Sequence, residues 1–552
     1  MNRKYRILVA EDQEVLAKNA REFLESRGYE VVMAYTPQEA LQILADSWVH
    51  AAVVDMRLDD NSDLDRTGLR VLKNSSREIP KLIWTAYPDN YQDVVEAMKK
   101  DEHGPLPPAV NFVAKRDGLP NLEEAVRDAL KTYMPLNVDL RIEWRSYLSF
   151  SQLTEIIFAQ NGRFDTNDLA HELEDLFRLL FRATDTFKSP QITIDQLLIP
   201  GKGYAILGVY VFKEDGSNIP YIVTFGQKEV VKKEAVNFKE AVPRPIQTSN
   251  LVKDNEAATT HFAATAYRLV EGQLDTIVSF ATYYHTNELA MIQKCVKNLY
   301  HNNLVHWYRQ GREEKSVSAL HQFYLQTYRT LTNEAYKTRL ADNLAQICNT
   351  VAPADLGRVH LTAEWLELSS PLSETRKLVN PTLLLEKSLR ISESVQWGRI
   401  HGQVSTETIL VDKNARTWLI DFTQVCTGPL LHEFTHFEVQ MKAALLGRRK
   451  LSTILAFEQA LLTQEGDDSV APDDMGKMFQ VVRSLHGYAQ RLTLCSVELY
   501  QLSLYYQAIA YLLTFDNERL YTQVELQPYV HMMLTASLLA TQFSQMEPGV
   551  LP

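Results

Sequence analysis

Short apolar segments alternate with amphipathic helical segments over the first 131 residues, and this alternation restricts the fold more than any other feature. Apolar segments with the length of buried strands span residues 5–10, 29–35, 51–56, 81–85 and 109–114. Helical patterns lie between them, for example over residues 13–27 and 37–45. Such an alternation predicts a five-stranded parallel sheet with helices on both faces, the doubly wound α/β class.

Polar residues follow four of these strands. Glu11 and Asp12 come after the first strand, Asp55 ends the third, Thr85 ends the fourth, and Lys115 follows the fifth. In parallel sheets the ligand site lies at the carboxyl ends of the strands, so these side chains should converge. Three carboxylates in one place require a hard cation such as Mg²⁺. A carboxylate held beside that cation and an ammonium is a candidate nucleophile towards a phosphoryl group.

This pattern resembles the response-regulator receiver family through the motifs ILVAED, VVDMRL, WTAY and FVAKRDG, which stand in that family's order. The resemblance implies that Asp55 accepts the phosphoryl group and that Thr85 and Lys115 assist it. It also implies that the backbone carbonyl of Arg57 joins the three carboxylates around Mg²⁺, and that Phe112 moves with Thr85 on phosphorylation. Arg116 is a departure, since many members of the family have proline there.

The composition limits the functional classes that remain. The formal net charge is -12 and no long basic segment occurs, which argues against nucleic acid as a partner. No run of eighteen apolar residues is present, and the N-terminus lacks a signal-peptide pattern. We therefore expect a cytoplasmic protein with neither a membrane nor a nucleic-acid partner.

After the predicted receiver, at residues 1–134, the sequence indicates three further segments. Residues 135–188 contain helical patterns. These patterns fit a connector between domains or, equally well, the first helices of the next domain. Residues 189–285 predict an α+β lobe, and residues 286–552 a largely helical lobe with an insertion at about 296–375. The insertion is rich in Tyr, His and Arg, which fits a partner surface or ordinary amphipathic helices. The apolar tail predicts a helical core, with a dimerising face as the alternative.

Strand and helix patterns in the second half of the chain occur in a specific order. Residues 192–226 predict three strands joined by glycine-containing turns, and residues 227–242 predict a helix that carries Glu234. Residues 388–422 predict a helix, a loop opened by His401 and Gly402, and a hairpin that ends at Asp421 and Phe422.

This order resembles the protein-kinase-like phosphotransferase fold, most closely its aminoglycoside-phosphotransferase branch. In that branch the loop reads HGDxxxxN and is followed by IDFG. The segments VxFGxxxxxxKExxNF and GPxxxEFxxFE resemble, more narrowly, the bacterial ternary-complex-associated domains. The resemblance places the family's catalytic groups at Gly201, Gly203, Thr224, Glu234, His401, Gln403, Thr408 and Asp421. The phosphate-binding lysine is then Thr224, the catalytic aspartate Gln403, and the metal-binding asparagine Thr408. Lys228 or Lys232 could take the place of the family's phosphate-binding lysine, and the sequence alone does not decide this.

An HExxH motif offers a competing interpretation. His432, Glu433 and His436 have the spacing by which zinc metalloproteases present two ligands and a general base on one helix. The third ligand is then Glu458 or Glu465. The kinase-like frame explains the same helix without zinc.

Together these observations predict a two-component response regulator. A histidine kinase or another phosphodonor phosphorylates Asp55, and a catalytically degenerate pseudokinase region acts as an interaction module for an unknown protein. A homodimer formed on phosphorylation is a further expectation. The alternatives are a weakly active ATP-dependent phosphotransferase and a phosphorylation-gated zinc protease.

Overall fold

A computed structural model gives the fold of the chain and divides it into two compact units. The first unit comprises Met1–Ala235 and Val252–Leu269, and the second comprises Val236–Leu251 and Val270–Pro552. The structure describes residues 4–59, 66–86, 91–100, 104–145, 147–158, 166–182, 191–213, 215–332, 335–351, 358–370, 373–386, 393–463 and 475–545. No helix in these ranges is long and apolar enough to cross a membrane.

The first unit begins with a parallel sheet covered by helices. Its strands are β1 (Arg6–Ala10), β2 (Glu30–Ala34), β3 (Ala51–Val54), β4 (Lys81–Thr85) and β5 (Asn111–Ala114). Its helices are α1 (Glu14–Ser26), α2 (Pro37–Asp46), α3 (Thr67–Asn74), α4 (Tyr91–Met98) and α5 (Leu119–Tyr133). The strand order β2-β1-β3-β4-β5, with every neighbouring pair parallel, confirms the predicted doubly wound class.

Local chemistry explains where these elements begin and end. Thr36 caps α2, since its Oγ1 accepts a hydrogen bond from the Glu39 backbone N–H at 3.2 Å. The Glu39 carboxylate in turn accepts one from the Tyr35 N–H at 2.7 Å, which completes a reciprocal cap. Gly28 follows α1 with a φ of 95°, which a glycine adopts without strain. The predicted strands extend beyond the observed ones by up to two residues because their flanking residues leave the hydrogen-bonded ladder.

A second sheet completes the first unit. Its strands are β6 (Arg141–Trp144), β7 (Gln191–Gly201), β8 (Tyr204–Phe212), β9 (Asn218–Gln227), β10 (Leu251–Ala258) and β11 (Phe262–Leu269). They lie in the order β10-β11-β9-β8-β7-β6, and helices α6 (Phe150–Phe158) and α7 (Thr166–Leu180) share their apolar core. The three strands predicted over 192–226 are confirmed. The connector is only partly helical, because β6 pairs with β7 and extends the sheet.

The division between the units falls within helix α8 (Lys228–Ala241), which confirms the helix predicted over 227–242. The second unit is largely helical. Its helices are α9 (Arg244–Ser249), α10 (Phe280–Thr286), α11 (Leu289–Asn298), α12 (Val305–Tyr308), α13 (Val317–Thr332), α14 (Tyr336–Thr350), α15 (Leu431–Leu445), α16 (Leu451–Thr463), α17 (Gly476–Thr493), α18 (Val497–Leu513) and α19 (Gln523–Gln545). The predicted apolar helical tail corresponds to α17, α18 and α19.

Three small sheets accompany these helices. Their strands are β12 (Val278–Ser279), β13 (Glu313–Ser316), β14 (Arg358–Leu361), β15 (Trp365–Ser370), β16 (Ser373–Val379), β17 (Ser394–Ile400), β18 (Ile409–Val411), β19 (Thr417–Leu419) and β20 (Cys426–Pro429). The helix predicted before the His401 loop is wrong over the described residues, because β17 is a strand paired with β13 and β20. Its Val, Trp and Ile side chains suit a buried strand, and pairing outweighs their weak helical pattern. Residues 387–392 lie outside the described part of the chain.

Candidate functional site

The carboxyl ends of β1, β3, β4 and β5 bring the predicted polar residues together. Glu11 follows β1 and is buried, and Asp55 follows β3 and is also buried. Thr85 ends β4 in a fully buried position, and Lys115 begins a short 3-10 helix directly after β5. The parallel register places these ends at one edge of the sheet, as the sequence predicts.

The Lys115 ammonium joins two of the carboxylates. Its Nζ lies 2.7 Å from Oδ2 of Asp55 and 2.6 Å from Oε2 of Glu11. Burial raises the pKa of Glu11 to about 7, and the neighbouring charge of Asp55 adds to this shift. Burial also raises the pKa of Asp55, while Lys115 opposes the rise. Burial disfavours the charge on Lys115, but Asp55 and Glu11 outweigh it and raise the pKa of the ammonium.

The acidic side chains form a pocket that fits a divalent cation. One ligand oxygen from each of Glu11, Asp12 and Asp55 lies within 4.8 Å of the others. Asp12 Oδ1 is buried and has no hydrogen-bond partner within the described part of the chain, so it has capacity for a cation. Oxygen ligands of this kind suit Mg²⁺. The backbone N–H of Arg57 lies 3.5 Å from Oδ1 of Asp55, which fixes the start of the loop whose carbonyl is the predicted fourth ligand.

Gly68 contacts the acidic site and was not identified from the sequence. Its backbone N–H donates to the Met56 carbonyl at 3.1 Å, so α3 begins directly against the Asp55–Met56 segment. A Cβ atom at position 68 would lie only 1.9 Å from the backbone oxygen of Asp55. Only glycine permits this close approach. Nothing in the sequence other than a glycine at the start of a helix pointed to it.

The two predicted switch residues have opposite environments. Thr85 is 1% exposed, whereas the Phe112 ring on β5 is 39% exposed. The backbones of these residues lie on adjacent strands, where Ile83 pairs with Phe112 and Thr85 with Ala114. A linked movement of Thr85 and Phe112 stays a prediction.

Half of the predicted kinase-like residues lie in the first unit. Gly201 and Gly203 flank the turn between β7 and β8, where Gly203 has a φ of 79°. Thr224 is buried in β9, so no ammonium occupies the position of the family's lysine. Glu234 on α8 is buried and accepts a hydrogen bond from the Tyr267 hydroxyl at 2.6 Å.

The other half lies in the second unit, around the loop after β17. The His401 ring stands 3.1 Å from the Ile420 carbonyl, and burial lowers the pKa of His401 to about 4. The Thr408 hydroxyl donates to the Gln403 carbonyl at 2.8 Å, which gives this threonine a structural role. Asp421 is buried, adopts a φ of 71°, and accepts a hydrogen bond from the Thr423 hydroxyl at 2.6 Å. A left-handed conformation is strained for aspartate, so the fold holds this residue in place.

The HExxH residues lie on α15, and His432 and Glu433 contact the same loop. Glu433 accepts a hydrogen bond from the Gly402 N–H at 2.8 Å, and burial raises the pKa of Glu433 to about 8. His432 donates from Nε2 to the Gly402 carbonyl at 3.2 Å and accepts at Nδ1 from the Gln507 amide at 2.7 Å. Gln507 Oε1 also lies 3.4 Å from Nδ1 of His436.

The zinc ligands predicted beside this motif are not assembled within the described residues. Glu458 contacts Lys442 and His531, and Glu465 lies outside the described part of the chain. Across the described ranges, a group of three potential metal ligands forms only at Glu11, Asp12 and Asp55. The zinc interpretation stays a prediction.

Comparison with known proteins identifies the N-terminal region. Residues 7–127 match the family model described as the response regulator receiver domain. The response regulator RR06 of Streptococcus pneumoniae is 33% identical over 113 residues, which are 20% of this chain and 50% of that protein. This chain thus aligns with half the length of that curated relative.

Solved structures match the same part of the chain. A CheY-like receiver domain protein from Methanospirillum hungatei JF-1 is 22% identical, with a TM-score of 0.20, and the match covers 24% of this chain and 98% of that one. The receiver domain of the sensor histidine kinase PA1611 from Pseudomonas aeruginosa PAO1, solved with a magnesium ion in its active-site cleft, is 19% identical. Its TM-score is 0.19, and the match covers 24% of this chain and 100% of that one. Residues 7–127 form a response regulator receiver domain of the two-component type, and the carboxylates of Glu11, Asp12 and Asp55 lie together in its acidic pocket.

Proposed function

We propose that Asp55 accepts a phosphoryl group from a histidine kinase or another phosphodonor, and that this reaction controls the rest of the chain as a protein-interaction module. The ion pair between Lys115 and Asp55 carries the proposal, since it places a cation 2.7 Å from the oxygen that would react.

Each residue of the pocket has a defined task in this reaction. An Asp55 oxygen attacks phosphorus, and the bond from phosphorus to the donor atom breaks with its electron pair on the donor. Lys115 offsets the negative charge that the new acyl phosphate brings, and the Thr85 hydroxyl donates to a phosphoryl oxygen. Glu11, Asp12, Asp55 and the Arg57 carbonyl would hold Mg²⁺, which would neutralise charge on the phosphoryl oxygens.

Incubation of the full-length protein with acetyl phosphate and Mg²⁺ is expected to add one phosphoryl group, because the pocket already contains nucleophile, cation site and ammonium. Intact-protein mass spectrometry measures the gain. Asp55→Asn should abolish it, since an amide oxygen is a poor nucleophile. Asp128→Asn, on an exposed face of α5, is the matched control and should leave it unchanged. A gain that persists in Asp55→Asn would place the phosphorylation elsewhere.

The proposal that the region after the receiver is not catalytic depends on which residues stand at the kinase family's catalytic positions. Thr224 and Gln403 stand where the resemblance requires a lysine and an aspartate, and neither can grip phosphates or accept a substrate proton. Asp421 accepts hydrogen bonds from the Thr423 hydroxyl and N–H, at 2.6 and 3.3 Å. The loss of each catalytic group typically costs on the order of 10²-fold or more in rate. Binding of a protein partner needs none of these groups.

Adding ATP to the full-length protein in the presence of Mg²⁺ is expected not to change its thermal unfolding midpoints. A ligand that binds only the folded state must raise the midpoint, so millimolar ATP reports even weak binding. Differential scanning fluorimetry measures the effect. If ATP raises the midpoint and Asp421→Ala abolishes this rise, the result would contradict the interaction-module proposal and favour the phosphotransferase alternative.

A further inference from the structure

Helix α7 holds the receiver through a buried polar contact. The Asp175 carboxylate accepts a hydrogen bond from the Trp48 indole N–H at 3.1 Å and lies 3.1 Å from Nε2 of His50. All three side chains are buried, and Nδ1 of His50 accepts a further hydrogen bond from the Arg6 N–H at 2.8 Å. Buried polar groups that satisfy one another define a single geometry, so this contact is a fixed attachment.

The segment after the receiver is equally well fixed. Arg178 on α7 donates from Nη1 to the carbonyls of Asn137, Val138 and Leu140 at 3.0, 3.1 and 3.0 Å. Leu179 packs against the apolar core of the receiver. Helix α7 thus binds both the receiver and the segment that follows it, and this attachment is rigid. A signal from the receiver therefore needs a different contact within this unit, one that can change on phosphorylation.

Glu78 provides a second contact of a different character. It lies between α3 and β4, and its carboxylate forms ion pairs with Lys228 and Lys232 on α8. Oε1 of Glu78 stands 2.6 Å from the Lys232 ammonium. The Lys232 side chain is 48% exposed, whereas the Glu78 side chain is 12% exposed. Solvent screens the pair with Lys232, so that pair can be broken more easily than the Asp175 contact. The Lys228 side chain is only 17% exposed, so its pair with Glu78 is largely buried.

The sequence of α8 makes Glu78 important to the start of that helix. Lys228 and Lys232 are four residues apart and therefore adjacent on the helix surface, where like charges repel. Lys228 is also the first residue of α8, and a cation at a helix N-terminus opposes the helix dipole. The carboxylate of Glu78 offsets both effects. Without it, the described side-chain contacts of these two lysines are the hydrogen bonds from the Lys228 ammonium to the carbonyls of Thr259 at 2.8 Å and Thr260 at 3.5 Å.

Helix α3 connects the phosphorylation site to Glu78. Its first turn contains Gly68, whose backbone lies against Asp55, and its last residue is Asn74, four positions before Glu78. Eight helical residues span roughly 12 Å, and a short helix moves as one body. A phosphoryl group on Asp55 lies beside the α3 N-terminus, so any displacement of α3 reaches the Glu78 segment.

We propose that Glu78 is the releasable contact of the receiver: phosphorylation of Asp55 displaces α3, withdraws Glu78 from Lys228 and Lys232, and exposes a basic start of α8 to an acidic protein partner. This inference rests on the proposed function of Asp55. It assigns to the two lysines a regulatory role, in which the receiver carboxylate covers them until the signal arrives.

Hydrogen–deuterium exchange in the full-length protein tests the proposal at residues 228–235. Glu78→Gln should speed exchange there by at least about twofold to fivefold without phosphorylation, the size expected for loss of the half-exposed pair with Lys232 alone. Phosphorylation of the wild-type protein with acetyl phosphate should speed it by a similar factor and should add nothing in Glu78→Gln. The combination of Glu78→Lys with Lys228→Glu and Lys232→Glu should restore slow exchange.

Glu25→Gln is the matched control, because it removes an ion pair with Arg21 within α1. It should leave exchange in 228–235 unchanged. Unchanged exchange in Glu78→Gln, or an equal response to phosphorylation in Glu78→Gln and the wild type, would overturn the proposal. Intact mass, recorded on the same samples, reports phosphorylation of Asp55 separately. Failure of that reaction would refute the proposed function, whereas the unphosphorylated comparison would still decide whether Glu78 holds α8.

Discussion

Replacement of Gly68 with alanine is expected to slow the phosphorylation of Asp55 by about 100-fold, the loss typical of a reacting group displaced by about 1 Å. The new Cβ atom would lie 1.9 Å from the backbone oxygen of Asp55 and 2.7 Å from the Met56 Cα atom. Both obstacles are backbone atoms, so no side-chain rotation relieves the clash. Either α3 or the Asp55 segment must move, and the separation between Asp55 and Lys115 changes with it.

A time course of intact mass with acetyl phosphate and Mg²⁺ measures the rate. The same variant should lower the stability of the receiver by about 1–3 kcal/mol, the usual cost of overpacking, and thermal unfolding reports this. Gly476→Ala is the control, since no atom lies within 4 Å of its Cβ position. A wild-type rate in Gly68→Ala would contradict the close approach of α3 to Asp55, and with it the link from Asp55 to Glu78.

The acidic pocket was accessible from the sequence because its geometry follows from strand order. In a parallel sheet, residues that end successive strands must meet at one edge, so Glu11, Asp55 and Lys115 could be placed together without coordinates. The strands themselves were recognisable because they are buried on both faces and therefore apolar throughout. Asp12 directly follows Glu11 and is placed at the same edge by the same reasoning.

Contacts between distant elements could not be predicted in the same way. Gly68 is essential only because α3 approaches Asp55 closely, and Glu78 meets Lys232 across 154 positions of sequence. Asp175 resembles any acidic residue on an amphipathic helix, although it is buried against Trp48. The strand Ser394–Ile400 was mistaken for a helix, since its pairing with β13 and β20 is not encoded in local periodicity.

Replacement of Lys442 with methionine is expected to destabilise the second unit by about 3–5 kcal/mol, the usual cost of breaking a buried ion pair. The Lys442 ammonium is fully buried and lies 2.6 Å from Glu438 and 2.9 Å from Glu458. Methionine preserves most of the side-chain volume but leaves two buried carboxylates without their shared cation. Urea or thermal unfolding of the full-length protein measures the loss. Lys294→Met, on an exposed position of α11, should change the stability by less than about 0.5 kcal/mol.

The source of this loss can be separated into charge and packing. If unpaired charge dominates, Glu438→Gln and Glu458→Gln added to Lys442→Met should recover part of the stability, because neutral amides can still bond to the groups that remain. Those groups are the Tyr500 hydroxyl and the His486 ring, 2.6 and 2.8 Å from Glu438, and the His531 ring, 2.6 Å from Glu458. A triple variant less stable than Lys442→Met would show that the two carboxylates stabilise this core through their other partners. Stability equal to the wild type in Lys442→Met alone would contradict the buried network itself.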